Sequence, residues 1–120
     1  MASQIIAKST AKAILRNVRV SPRKLNLIAQ LIRGQEVTRA SDLLSNCRKR
    51  VSVDAYKTLM SAIANAENNH GLDIDRLVVD EAYVGQSFVM KRFHARAKGR
   101  GAGIKKPFSH LTIIVREKEV

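Results

Sequence analysis

The stretch from Ala82 to Arg116 constrains this chain more than any other. No acidic residue lies between Glu81 and Glu117, while Lys91, Arg92, Arg96, Lys98, Arg100, Lys105, Lys106 and Arg116 supply eight positive charges. All three phenylalanines, Phe88, Phe93 and Phe108, fall in the same window. Strand-like segments flank it, Leu77-Val78-Val79 through Tyr83-Val84 before and Leu111 to Val115 after. Between them Gly99-Arg100-Gly101-Ala102-Gly103 suits a chain reversal better than a packed strand. The pattern predicts two antiparallel strands that leave a small domain as a long basic hairpin, turn near Arg96 to Gly101, and return.

From Val84 to Arg96 such a hairpin extends roughly 40 Å at ~3.3 Å per residue. A two-stranded ribbon of that reach, with no third strand and few apolar side chains, is marginal in water. Its like charges also repel one another. The expectation is an arm that is disordered in the free protein and ordered when a polyanion surrounds it. The bland alternative is a solvated loop without a ligand; the sharp one is a probe that threads into folded nucleic acid.

Charge along the rest of the chain favours the second. The 120 residues, enough for a single domain, carry 22 Lys and Arg against 10 Asp and Glu, a formal net charge of +12. Residues 1–53 hold eleven basic and two acidic side chains, whereas residues 54–81 hold two basic and six acidic. Two basic segments around a mildly acidic middle imply one face turned to phosphate and another turned away. No apolar run approaches a membrane span and no signal-peptide core is present. The acid-free start, Met1 to Val20, spaces Lys8, Lys12, Arg16 and Arg19 as an organellar transit peptide would. It runs without a break into structural signals, which argues against that address.

Ala11 to Val20 reads as a strand whose alternation slips near Arg16-Asn17, where a bulge is expected. Ser21 as N-cap and Pro22 at the first helical position open a helix closed by Gly34. Its inward stripe is read as Leu25, Ile28, Leu31 and Ile32, with Leu27 at the edge. Arg23 and Lys24 sit in the first turn, where the helix dipole disfavours cations unless they share a phosphate with the free N–H groups. A short helix from Thr38 to about Asn46 turns Val37, Ala40, Leu43, Leu44 and Cys47 inward, and Arg48-Lys49-Arg50 follows it. A longer helix from about Val51 to Asn69 carries Ala55, Leu59, Ala62, Ile63 and Ala66, and His70-Gly71 ends it. One strand, three helices and a hairpin make an α+β chain.

Residues able to do chemistry are few and scattered. Cys47 stands alone on an apolar stripe, the setting of a structural thiol rather than a reactive one. His70, His94 and His110 lack the spacing of a zinc pair and read as caps or phosphate contacts. Asp73, Asp75, Asp80 and Glu81 fit no calcium-loop pattern. The Gly99, Gly101, Gly103 run opens no helix, so it is no dinucleotide loop. No catalytic set, metal site, cofactor or small-molecule substrate is expected.

Six segments occur together, in order and over most of the chain: Val18 to Lys24, Leu31 to Gly34, Ser61 to Asn69, Lys91-Arg92, Arg96 to Arg100, and Ser109 to Ile113. In these the sequence resembles the family of bacterial large-subunit ribosomal protein twenty-two. The resemblance implies a three-stranded antiparallel sheet packed on three helices, with residues 85–107 as an extended hairpin arm of one domain, 1–120. It implies a non-enzymatic constituent of the large ribosomal subunit, cytoplasmic, that binds ribosomal RNA and supports assembly. Neighbouring ribosomal proteins and, at the hairpin tip, the nascent polypeptide in the exit tunnel would be its other partners. A free-standing RNA- or DNA-binding regulator, or an RNA chaperone, is the alternative.

On this reading Lys91, Arg92, His94, Arg96, Lys98 and Arg100 meet RNA deep in the subunit, and Lys105 and Lys106 serve the returning strand. Arg16, Arg19, Ser21, Arg23 and Lys24 anchor the globular end. Phe88 and Phe93 stack on unpaired bases, worth ~1–3 kcal/mol each; for Phe108 a core position at the sheet edge is favoured. The chain departs from the family pattern at Gly85-Gln86-Ser87-Phe88, where many relatives carry Asp-Glu-Gly-Pro, and at Ala95, in place of a common proline.

Overall fold

In the computed structural model the described residues are 10–95 and 101–118, the side chains of 91–95 and 101–105 excepted. In chain order they form β1 (Thr10–Val18), α1 (Pro22–Ile32), α2 (Val37–Ser45), α3 (Val51–His70), a 3-10 turn (Ile74–Arg76), β2 (Leu77–Ala95) and β3 (Gly101–Glu117). The sheet is antiparallel with order β1-β3-β2, so the last strand is the central one. Its alternating residues Leu111, Ile113 and Val115 are fully buried and form the floor of the core.

Small side chains decide how the helices cover that floor. Ala11 and Ala13 are the buried residues of β1, and α3, which lies against it, turns Ala55, Leu59, Ala62 and Ala66 inward. Asn65 on the same helix donates its amide to the Lys12 carbonyl at 3.1 Å, tying helix to strand. Gly71, at φ 63, closes α3 in the left-handed conformation that glycine adopts without penalty. The next N–H, that of Leu72, reaches back to the Ala66 carbonyl at 2.9 Å. From Thr10 onward the basic N-terminal stretch is therefore a structural strand; Lys8 and the rest of residues 1–9 lie outside the described residues.

Helix α1 starts as the sequence predicts, with the Ser21 hydroxyl oxygen accepting the Lys24 N–H at 3.3 Å and Pro22 in the first turn. Its buried face differs from the expected one. Leu25, Ile28, Ala29 and Ile32 point inward, while Leu27 and Leu31 are 49% and 37% exposed. At about 100° per residue Ala29 falls within the arc of Leu25, Ile28 and Ile32, and Leu27 and Leu31 fall together on the far side. In α2, Val37, Ala40 and Leu44 are buried and Leu43 is half-buried. Two buried helical positions, Ser52 and Thr58, are polar and escape any apolar pattern; their hydroxyls donate to backbone carbonyls within the turn before or the same helix.

Bulges set the register of the sheet. One extra residue, Asp80, separates the pairs Val79–Val115 and Glu81–Ile114, so burial on β2 passes from Leu77 and Val79 to Ala82. Beyond the pair Val18–Ser109 strand β1 is finished, yet β2 and β3 stay paired out to Ala95–Gly101. The predicted hairpin is thus a continuation of the core strands. Gly101, expected at the end of the turn, and Gly103, expected on the returning strand, are paired with Ala95 and Phe93. Ladder hydrogen bonds need no side chain, so glycine can hold its place in a paired strand. The expected turn residues Arg96 to Arg100 lie outside the described residues.

The burial pattern of α1 is open to test by urea denaturation. Ile32→Ala and Leu59→Ala are expected to lower stability by ~2–5 kcal/mol each, and Leu31→Ala by less than about 1 kcal/mol. Equal losses at Leu31 and Ile32 would mean that the helix is rotated from the position described.

Candidate nucleic-acid interface

Where the ribbon leaves the sheet, bulges in both outer strands face β3 at nearly the same level. On β1 the extra residue lies at Arg16-Asn17, between the pairs Leu15–Leu111 and Val18–Ser109; on β2 it lies at Ser87-Phe88, between Gln86–Ser109 and Val89–Pro107. Asn17 has φ 57, a left-handed conformation in which asparagine is enriched among non-glycine residues. The two bulges are joined: the Ser87 hydroxyl donates to Asn17 Oδ1 at 2.7 Å, and the Asn17 N–H donates to His110 Nδ1 at 3.3 Å. One residue along, buried Ser109 donates to the Val20 carbonyl at 2.7 Å. Pro107, which has no N–H to offer, sits where the ladder resumes after the bulge.

The phenylalanines complete this root. Phe88 and Phe108 stack with ring centroids 4.4 Å apart and planes 15° apart. Phe108 is half-buried and outside the core cluster, so the sheet-edge core position favoured for it is replaced by a pairing with Phe88. Phe88 remains 46% exposed. Ser87 and Phe88 belong to the segment that departs from the family pattern, and here they tie the arm to the body. On the body side the Arg33 guanidinium donates twice to the Ala82 carbonyl, from Nε at 3.0 Å and from a terminal nitrogen at 2.6 Å. That arginine, part of the Leu31 to Gly34 segment, works within the chain.

Beyond the root, the ladder places cations opposite one another. Lys91 is the cross-strand partner of Lys105, and Met90 that of Lys106. Like charges directly opposite destabilise a strand pair. Arg92, Phe93 and His94 follow on β2, opposite Ile104, Gly103 and Ala102. Arg96, Lys98 and Arg100 lie outside the described residues. Arg116, the last cation of the acid-free window, is 3.4 Å from Asp80 and belongs to the opposite end of the sheet, as does the pair Arg76–Glu117 at 3.2 Å.

Two basic grooves mark the globular end. One, of about 830 Å³, lies where the end of β1 meets the first turns of α1 and α3; Arg19, Lys24, Lys49 and Arg50 line it, with Asp54 as its carboxylate. The other, of about 510 Å³, runs between β1 and α3 and is lined by Lys12, Arg16 and Lys57 together with Ser61 and Asn65. The expected anchors are therefore divided: Arg19 and Lys24 share one groove and Arg16 lines the other. Arg23 is exposed in the first turn of α1, and Ser21 serves as its cap. Sequence reasoning omitted Lys12, Lys49, Arg50 and Lys57 from the site. The run Arg48-Lys49-Arg50 was the available signal, since it precedes a helix start that has no side-chain cap.

Among the described residues no group of His, Cys, Asp and Glu is arranged to hold a metal ion, and no helix is long and apolar enough to cross a membrane. Cys47 is half-buried and packed against the core. The features together are those of a small α+β binding protein with a basic two-stranded extension. Residues 13–116 match the family described as Ribosomal protein L22p/L17e, and the chain belongs to that family. It is similar to proteins named large ribosomal subunit protein uL22. That of Maricaulis maris is 65% identical over 114 residues, covering 95% of this chain and 90% of that protein. That of Mesorhizobium japonicum is 62% identical, covering 95% and 88%, and that of a Methylobacterium strain is 61% identical, covering 97% and 91%. A structural role in the ribosome, and no enzymatic one, follows from this membership.

The root is testable apart from any ligand. Asn17→Gly keeps the backbone conformation and loses the side-chain hydrogen bond, and is expected to cost at most about 1 kcal/mol. Asn17→Ala adds the strain of a left-handed alanine, a further ~1 kcal/mol or more. Equal stability of the two variants in urea would show that this backbone conformation is not maintained in solution.

Proposed function

We propose that this chain binds large-subunit ribosomal RNA through its basic globular end and through the arm of residues 85–107, which reaches through folded RNA toward the polypeptide exit tunnel and supports subunit assembly. The observation that carries this reading is the ribbon itself. It continues two core strands beyond the third, contains no acid and sets Lys91 opposite Lys105, an arrangement stabilised by surrounding phosphate. Arg16, Arg19, Ser21, Arg23 and Lys24 hold RNA at the globular end, and Lys105 and Lys106 along the returning strand. Lys91, Arg92, Phe93, His94, Arg96, Lys98 and Arg100 do so toward the tip, and Phe88 offers the ring face not stacked on Phe108. Neighbouring ribosomal proteins, and the nascent polypeptide at the tip, are its further partners. The protein works in cytoplasmic ribosomes.

The tagged protein is expected to sediment with large subunits in a cell lysate; a free-standing regulator would remain in the light fractions. Binding to large-subunit ribosomal RNA should weaken with salt at a log–log slope of roughly −6 to −9, as ~8–10 phosphate contacts require. A slope shallower than about −2 would remove the polyanion reading.

Ordering of the arm gives an independent readout. In the free protein the amides of residues 89–95 and 101–106 are expected to exchange rapidly, because a lone two-stranded ribbon is marginal, while those around Ile28 and Leu59 exchange slowly. RNA should protect the ribbon and change the helices little. A ribbon already protected without RNA would mean that it is stable on its own and that its charges are tolerated.

A further inference from the structure

The groove at the meeting of β1, α1 and α3 has more than charge. Both helices open toward it with the positive ends of their dipoles, and cations line it at both: Lys24 in the first turn of α1, which has no acid, and Lys49 and Arg50 just before α3, whose first turn adds the carboxylate of Asp54. Cations at a helix N-terminus are unfavourable; Asp54 offsets those at α3 in part, those at α1 have no acid in their turn, and a bound anion between the two ends would relieve both. The wall beneath these charges is apolar. Val18, Val20 and Val51 are half-buried and packed against the core, so they are fixed in place, while Leu27 stands 49% exposed on the face of α1 that the core does not use.

Resting on the RNA-binding reading above, we propose that this groove is a binding site for one unstacked nucleotide of a single-stranded RNA segment. Its phosphates lie between the two helix N-termini against Lys24, Lys49 and Arg50. Its base lies flat on Leu27 and Val51. A duplex presents phosphates to the cationic rim but keeps its bases stacked away from the wall, so it would leave the apolar surface wet; RNA readers engage unpaired bases for this reason. An acidic peptide with apolar side chains is the competing occupant. Continuity with Arg19 and Arg23 at the same end of a chain of net charge +12 favours the polyanion.

The experiment uses the full chain with labelled methyl groups, titrated in parallel with an oligouridylate hexamer, an RNA duplex and an acidic leucine-containing peptide. The hexamer should shift the Leu27, Val18 and Val51 methyls upfield by ring current, and the duplex should not. Leu27→Ala, at an exposed position, should weaken the hexamer about five- to tenfold and leave the duplex unchanged. Lys49→Ala with Arg50→Ala should weaken both and make the hexamer salt slope shallower by about 1.4, at ~0.7 per phosphate contact on a single strand. Methyls that respond only to the peptide, or a Leu27→Ala variant that binds the hexamer normally, would overturn the proposal. Binding of the same samples to large-subunit ribosomal RNA separates the two readings. If it persists while the methyls stay silent, the groove assignment fails and the function stands. If it is absent while the methyls respond, the function fails and the groove assignment stands.

Discussion

The structure depends on the backbone pairing of β3 with a neighbour on each side. Over Leu111 to Val115 this strand is the middle of the sheet and the floor of the core; before Pro107 the same strand is half of a two-stranded ribbon. One ladder therefore joins a region stabilised by apolar burial to one stabilised mainly by backbone hydrogen bonds. The transition is abrupt because β1 ends at the pair with Ser109. Losing that third strand is what sets the arm apart from the body: a two-stranded ladder is marginal by itself, and it is free to carry charge where a core would forbid it.

Charge is sorted along the same axis. At the end of the sheet away from the ribbon, Asp80 pairs with Arg116 and Glu117 with Arg76, so acids and bases neutralise one another. Toward the ribbon acids vanish from the sequence. The exposed ion pairs contribute little to stability, on the order of 0–1 kcal/mol each. Their larger effect is to make one pole nearly neutral and leave the other strongly positive, which orients the molecule as it approaches a polyanion.

Much of this was legible in the sequence, for identifiable reasons. Ser21-Pro22, Gly34 and Gly71 are punctuation whose meaning is local, and the three helices begin and end close to where these signs put them. The slip near Arg16-Asn17 showed as broken alternation because a bulge shifts the parity of every later residue. Other features were hidden because they depend on distant partners. Ala29 was passed over for Leu31, since size suggests burial but only the angle around the helix decides it. Asp80 reads as one more acid in an acidic turn, and nothing local shows that it is the residue left out of the ladder. The Phe88–Phe108 stack and the Ser87–Asn17 bond join positions far apart in sequence. Lys12, Lys49, Arg50 and Lys57 were visible as charges, but the grooves that collect them exist only once α3 lies across β1.

The paired bulges have a mechanical consequence. A ribbon that ends at one hydrogen-bonded root behaves as a lever whose fulcrum is the Asn17, Ser87 and His110 contact, braced on one side by two stacked rings. The seven residues from Val89 to Ala95 span roughly 23 Å at ~3.3 Å each, so a rotation of about 10° at the root moves the far end by about 4 Å. That is comparable to the distance between adjacent strands of the sheet itself. A small rotation at the surface of the body would thereby become a displacement of nearly one strand spacing at Ala95.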